Sequence, residues 1–70
     1  MKNLIKVERA RNDLSQAVLA EKVNVTRQTI HAIEKGRFVP STALAMKIAV
    51  VLNIKVDDLF ELEESDWKTY

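Results

Sequence analysis

Seventy residues make one small domain, and a chain of this size buries only about 60% of its unfolded surface. With 47% apolar and 30% charged residues it is able to fold and to stay in solution. It has no Cys and one His, so it offers no disulfide, no thiolate and no set of metal ligands, and neither a metal nor a cofactor is expected.

No apolar run approaches the ~20 residues that span a bilayer, and no secretory signal is visible, so no membrane association and a cytoplasmic location are expected. The net charge of +1 hides an asymmetry. Residues 1–55 carry ten Lys/Arg against four Asp/Glu, whereas residues 56–70 carry one Lys against six acids. A basic body with an acidic end suits a domain that meets a polyanion on one side.

Taken in chain order, residues 3–12 read as a first helix with Ile5 and Val7 inward, followed by Leu14 in the connection. Ser15 is placed to cap a second helix that ends near Val23. Asn24 stands in the next turn, where a left-handed residue is often required and Asn tolerates it. Thr26 can cap a third helix over residues 27–35. Leu19, Ala20, Val23, Val25, Ile30 and Ile33 have the spacing that buries the second and third helices against each other.

The lone Gly and lone Pro fall in one segment, Gly36-Arg37-Phe38-Val39-Pro40. Gly36 ends the third helix in a left-handed conformation and Pro40 blocks immediate resumption. Ser41 then caps a fourth helix through Leu52, with Leu44, Ile48, Val51 and Leu52 as its apolar stripe and Ala45 and Ala49 allowing close approach. Residues 56–60 form a short fifth helix whose Asp57 and Asp58 favour its N-terminal end. Phe60-Glu61-Leu62-Glu63 alternates in the manner of a strand. Residues 63–70 are expected to form an acidic, flexible tail.

Arg27, Gln28, His31 and Lys35 share the outward side of the third helix, with no apolar residue larger than Ala32 among them. A helix with long hydrogen-bonding side chains on its outer face is suited to the major groove of DNA. Arg bonds bidentately to guanine O6 and N7, and Gln to adenine N6 and N7. Arg27, Gln28 and His31 are therefore the expected base contacts.

Together these residues resemble the lambda-repressor-like, Xre-type helix-turn-helix regulators, and among them the short members that consist of little besides the DNA-binding domain. The carriers are Arg9, Leu14-Ser15-Gln16, Leu19-Ala20, Val23-Asn24-Val25-Thr26-Arg27-Gln28-Thr29-Ile30, Ile33-Glu34-Lys35-Gly36, Pro40-Ser41, Leu44-Ala45, Ile48-Ala49 and Asp58-Leu59-Phe60. Two positions depart from the pattern. Asn24 stands where the family most often has Gly, and Glu8 where many relatives carry an apolar residue.

The resemblance implies an all-α, five-helix domain over residues 1–62, with a helix-turn-helix at 15–35 and a recognition helix at 27–35. It implies a transcriptional regulator, usually a repressor and usually a dimer on a palindromic operator. Gln16 would brace Gln28 or donate to a phosphate, and Thr26, Thr29, Lys35 and Arg37 would contact phosphates. Arg9 and Glu34 would form a structural ion pair. Phe60 and Leu62 either complete the monomer core or, with Leu59, join a two-fold interface that has Trp67 and Tyr70 nearby.

Another reading is a protein-interaction module of the antitoxin or anti-repressor kind, whose acidic tail binds a partner. An enzyme is not expected, because no nucleophile–base pair, phosphate loop or clefted carboxylate pair is present.

Overall fold

Three hydroxyls set where three helices begin. Ser15 Oγ accepts from the Val18 N–H at 3.0 Å, Thr26 Oγ1 from Thr29 at 3.2 Å, and Ser41 Oγ from Leu44 at 3.2 Å. Each satisfies an amide that the helix itself leaves free. The computed structural model, which describes residues 1–68, runs β1 (Lys2–Asn3), α1 (Ile5–Arg11), α2 (Gln16–Lys22), α3 (Arg27–Glu34), α4 (Thr42–Leu52), α5 (Val56–Leu59), β2 (Phe60–Glu61) and a 3-10 turn (Glu64–Trp67). The fold is the five-helix, mostly α architecture expected, with the short C-terminal strand.

The first four helices end in one way. A left-handed residue follows each: Asp13 (φ 55°), Asn24 (φ 60°), Gly36 (φ 73°) and Asn53 (φ 55°). The amide after it reaches back five residues, from Leu14 to Arg9 at 2.9 Å, Val25 to Ala20 at 3.0 Å, Arg37 to Ala32 at 2.9 Å and Ile54 to Ala49 at 3.0 Å. This closure satisfies carbonyls at the helix end and turns the chain sharply. The turns at Asn24 and Gly36 were legible from residue type. Those at Asp13 and Asn53 use the same short polar side chains.

One cluster forms the core: Ile5 from α1, Leu19, Ala20 and Val23 from the α2 end, Ile30 and Ile33 from α3, Ile48, Ala49 and Leu52 from α4, and Leu59 from α5. Leu14, Val25, Leu44, Val51, Ile54 and Phe60 pack against its edge. Val7, expected inward, is 50% exposed. It lies about 200° around the helix from Ile5, and the inward position one turn on is Glu8, which is buried and 3.6 Å from Arg11. The side chain of Leu59 is 1% exposed and belongs to this core, so it is not available to a second copy.

Two asparagines make ties across the fold, Asn3 from the N-terminal strand to the end of α3 and Asn12 from the end of α1 to the end of α4. Asn3 Nδ2 donates to the Ile33 carbonyl at 2.8 Å, while its Oδ1 accepts from the Ile5 amide at 3.2 Å. Asn12 Nδ2 donates to the carbonyls of Glu8 at 2.8 Å and Leu52 at 3.1 Å. Asn3, expected at the start of α1, instead joins Lys2 in a strand that pairs antiparallel with β2, Lys2 opposite Glu61 and Asn3 opposite Phe60. A strand of two residues has no periodicity of its own to read; only its distant partner defines it.

Within the segment expected as a flexible tail, Glu64–Trp67 form the 3-10 turn. Glu63 and Asp66 cap the 3-10 turn reciprocally, and the Met1 ammonium lies 2.8 Å from Glu63 and 3.3 Å from Asp66. The Glu63 side chain, opposed by some desolvation and aided by Asp66, raises the Met1 amine above its ordinary 8.0. The Glu63 backbone amide, again against some desolvation and with help from the Met1 charge, lowers Asp66 below 3.8. Trp67 stands 74% exposed, and Tyr70 lies outside the described residues.

Two predictions follow from this architecture. An added Cβ at Gly36 would meet nothing nearer than the Met1 carbonyl oxygen at 4.0 Å, so Gly36→Ala is penalised by its backbone angle alone. It should cost about 1–2 kcal/mol in urea unfolding, and Asn24→Gly should cost nothing or stabilise. For the tail, the contact made by Asp66 is complete above the ordinary carboxyl value and fades as pH falls through its lowered one. The contact made by Met1 is complete below the ordinary amine value and fades as pH rises through its raised one. Trp67 fluorescence should therefore change at both extremes and stay level between about pH 4 and 8.

Candidate nucleic-acid interface

The helix-turn-helix is built by α2 and α3. Leu19, Ala20 and Val23 meet Ile30 and Ile33 with almost no exposure, and this contact fixes which way the rest of α3 points. Arg27, Gln28, His31 and Lys35 are all exposed, within an arc of about 100° around the helix. Nothing in the described chain covers them.

Gln16, Arg27, Gln28, His31, Ala32 and Arg37 line one shallow depression across the α2–α3 junction. The three expected base contacts thus share a surface with two of the expected phosphate contacts. Thr26, Thr29 and Lys35 lie outside it. The Thr26 and Thr29 hydroxyls pair with each other at 3.0 Å at the head of α3, and Lys35 is exposed at its far end.

Under this surface lies a chain of polar contacts. Glu34 Oε2 accepts from Arg9 Nε at 2.7 Å, and Oε1 accepts from Arg9 Nη2 at 3.2 Å and from Gln16 Nε2 at 3.1 Å. Arg9 Nη1 donates in addition to the Leu14 carbonyl at 3.0 Å. The side chains of Arg9 and Glu34 are 15% and 7% exposed, so the expected structural ion pair is present, bidentate and largely shielded. Gln16 Oε1 accepts from Arg27 Nε at 3.4 Å, and its Nε2 is 3.4 Å from His31 Nδ1. Gln16 therefore braces Arg27 and His31, not Gln28 as expected, with its Nε2 between the shielded Glu34 carboxylate and the exposed His31 ring.

A family model described as Helix-turn-helix matches residues 5–59. A protein of Bacillus subtilis (strain 168), the uncharacterized HTH-type transcriptional regulator YgzD, is 53% identical over 66 residues, 94% of this chain and all of that protein. The chain belongs to the Xre-type helix-turn-helix family of transcriptional regulators. A further relative, MJ0272 of Methanocaldococcus jannaschii, also named an HTH-type transcriptional regulator, is 48% identical over 66 residues, again 94% of this chain and its own full length. The ImmF control region 10 kDa protein of Bacillus phage phi105 is 34% identical over 56 residues, 80% of this chain and 62% of that protein. Membership places the chain among regulators rather than enzymes.

Just past α3, Arg37 breaks the pattern of the other helix ends. After α1, α2 and α4 the residue following the left-handed turn is Leu14, Val25 or Ile54, and each packs against the core. After α3 the same position holds Arg37, exposed at the rim of the depression. The position normally given to an apolar contact carries a charge instead. With Glu34 neutralised by Arg9, the surface that Arg27 and Arg37 share is positive.

The ion pair gives a prediction. Arg9→Met leaves the Glu34 carboxylate shielded and without its cation, and should cost about 3–5 kcal/mol. The double variant Arg9→Met/Glu34→Leu should lose less than Arg9→Met alone. Urea unfolding of the four members of this cycle measures both quantities, and a double variant as unstable as the sum of the singles would contradict the pairing.

Proposed function

We propose that this protein is a sequence-specific double-stranded DNA-binding regulator, a dimeric repressor that reads a palindromic operator with α3 in the major groove. The observation that carries the reading is the exposed row Arg27, Gln28, His31 and Lys35 on a helix whose other side is locked into the core. Arg27 contacts guanine, Gln28 adenine, and His31 a base edge one turn further. Lys35 and Arg37 take phosphates beyond the recognition helix, and Thr26, Thr29 and the start of α2 at Gln16 take phosphates at its head.

Dimerisation doubles a small contact surface, and half-sites one helical turn apart, about 34–36 Å, suit a two-fold pair. Phe60 is half-buried, Leu62 is 56% exposed, and β2 pairs on one edge only among the described residues. These features support an interface around residues 60–62, without Leu59. The partner-binding reading has less support, because Glu63 and Asp66 already engage Met1.

Selection from random duplexes, followed by binding measurements at two salt concentrations, tests the proposal. Affinity should fall steeply with salt. Gln28→Ala should erase the preference at one position of each half-site, by about 1–3 kcal/mol. Lys35→Ala should weaken cognate and random DNA alike and flatten the salt slope by about one unit. Equal losses on both DNAs from Gln28→Ala would contradict base readout.

A further inference from the structure

A glutamine amide carries a donor end and an acceptor end, and on a surface either can face either way. At Gln16 it cannot. Its Nε2 is 3.1 Å from Glu34 Oε1, and an ionised carboxylate only accepts. Glu34 is held in place by two bonds from Arg9, at 2.7 and 3.2 Å, so its orientation is fixed from inside the protein. Turning the Gln16 amide over would set its oxygen against that carboxylate and its N–H bonds against the Arg27 Nε–H.

The consequence reaches the DNA-facing surface. With Nε2 toward Glu34, the Gln16 oxygen faces Arg27 and accepts from Nε at 3.4 Å. The second N–H of Gln16 faces His31 Nδ1, also at 3.4 Å, so Nδ1 accepts. A neutral imidazole that accepts at Nδ1 carries its proton on Nε2. Both links are long, and what they supply is orientation. Arg27 is left with the fork of Nη1 and Nη2, and His31 with an Nε2–H. Every polar group these two side chains have left to offer is a donor, and the base edge with two acceptors and no donor in the major groove is guanine, at N7 and O6.

We propose that Glu34, acting through Gln16, fixes the hydrogen-bond polarity of Arg27 and His31, so that this end of the recognition surface reads guanine. Glu34 and Gln16 are positioning residues; Arg27 and His31 make the contacts. The inference rests on the proposed reading that Arg27 and His31 face bases.

Two measurements on the full chain test it. The first is the base preference, in selected duplexes, at the positions where Arg27→Ala and His31→Ala lose theirs. The wild type should select guanine there, and Gln16→Met and Glu34→Gln should each lower the ratio of guanine over other bases by roughly five- to tenfold. The second is the imidazole nitrogen shifts of His31 in the free protein. The wild type should show the Nε2–H form, and both variants should move toward a mixture.

Should Glu34→Gln fail to fold, Gln16→Met, which leaves the ion pair whole, decides alone. Unchanged guanine ratios in a folded Gln16→Met would overturn the proposal, as would an Nδ1–H form in the wild type. If the wild type selected no sequence at all, the DNA-reading function would fall, and the nitrogen shifts would still decide whether Gln16 is locked.

Discussion

One carboxylate joins the three helices that make this domain a reader. Glu34, near the end of α3, receives Arg9 from α1 and Gln16 from α2. Its side chain is only 7% exposed, so its charge is stable there because three donors from two other helices surround it. An ion pair of this kind adds little net stability against an apolar substitute, since desolvation offsets most of the attraction. What it does contribute is geometry. Apolar contacts between Leu19, Ala20, Val23, Ile30 and Ile33 tolerate small rotations, whereas a bidentate bond does not.

That division of labour suits a protein this small. The core is a single cluster, and four of its helices close with the same left-handed turn, a local device that needs no extra mass. The third closure is also where local rule and surface chemistry part. Arg37 stands where the other three helices place an apolar residue, so the loop gives up an edge contact and gains a cation beside α3. Stability is supplied by the repeated turns and the core, and the surface of α3 is left to chemistry.

Most of this was legible in the sequence, for identifiable reasons. Caps at Ser15, Thr26 and Ser41 and the turns at Asn24 and Gly36 are decided by residues adjacent in the chain, and each was in place. The outward row on α3 follows from helical period alone. What the sequence did not give up depends on distant partners. The β1–β2 pair, the two asparagine ties and the clasp of Met1 on Glu63 and Asp66 join residues 30 to 65 apart, and nothing local marks them. Val7 faces solvent because Glu8 takes the inward position beside Ile5, a charged residue where apolar patterning points to its neighbour. Gln16 meets Arg27 in place of Gln28 because Glu34, on another helix, sets the direction of its amide.

The account stands on α3 entering the major groove with its exposed row toward the bases. Methylation interference on a selected duplex tests this most directly, because a methyl group on guanine N7 lies in the major groove and one on adenine N3 lies in the minor groove. Binding should be lost when guanines within the half-sites are methylated and unaffected by adenine methylation. Loss of binding on adenine methylation alone would contradict the account.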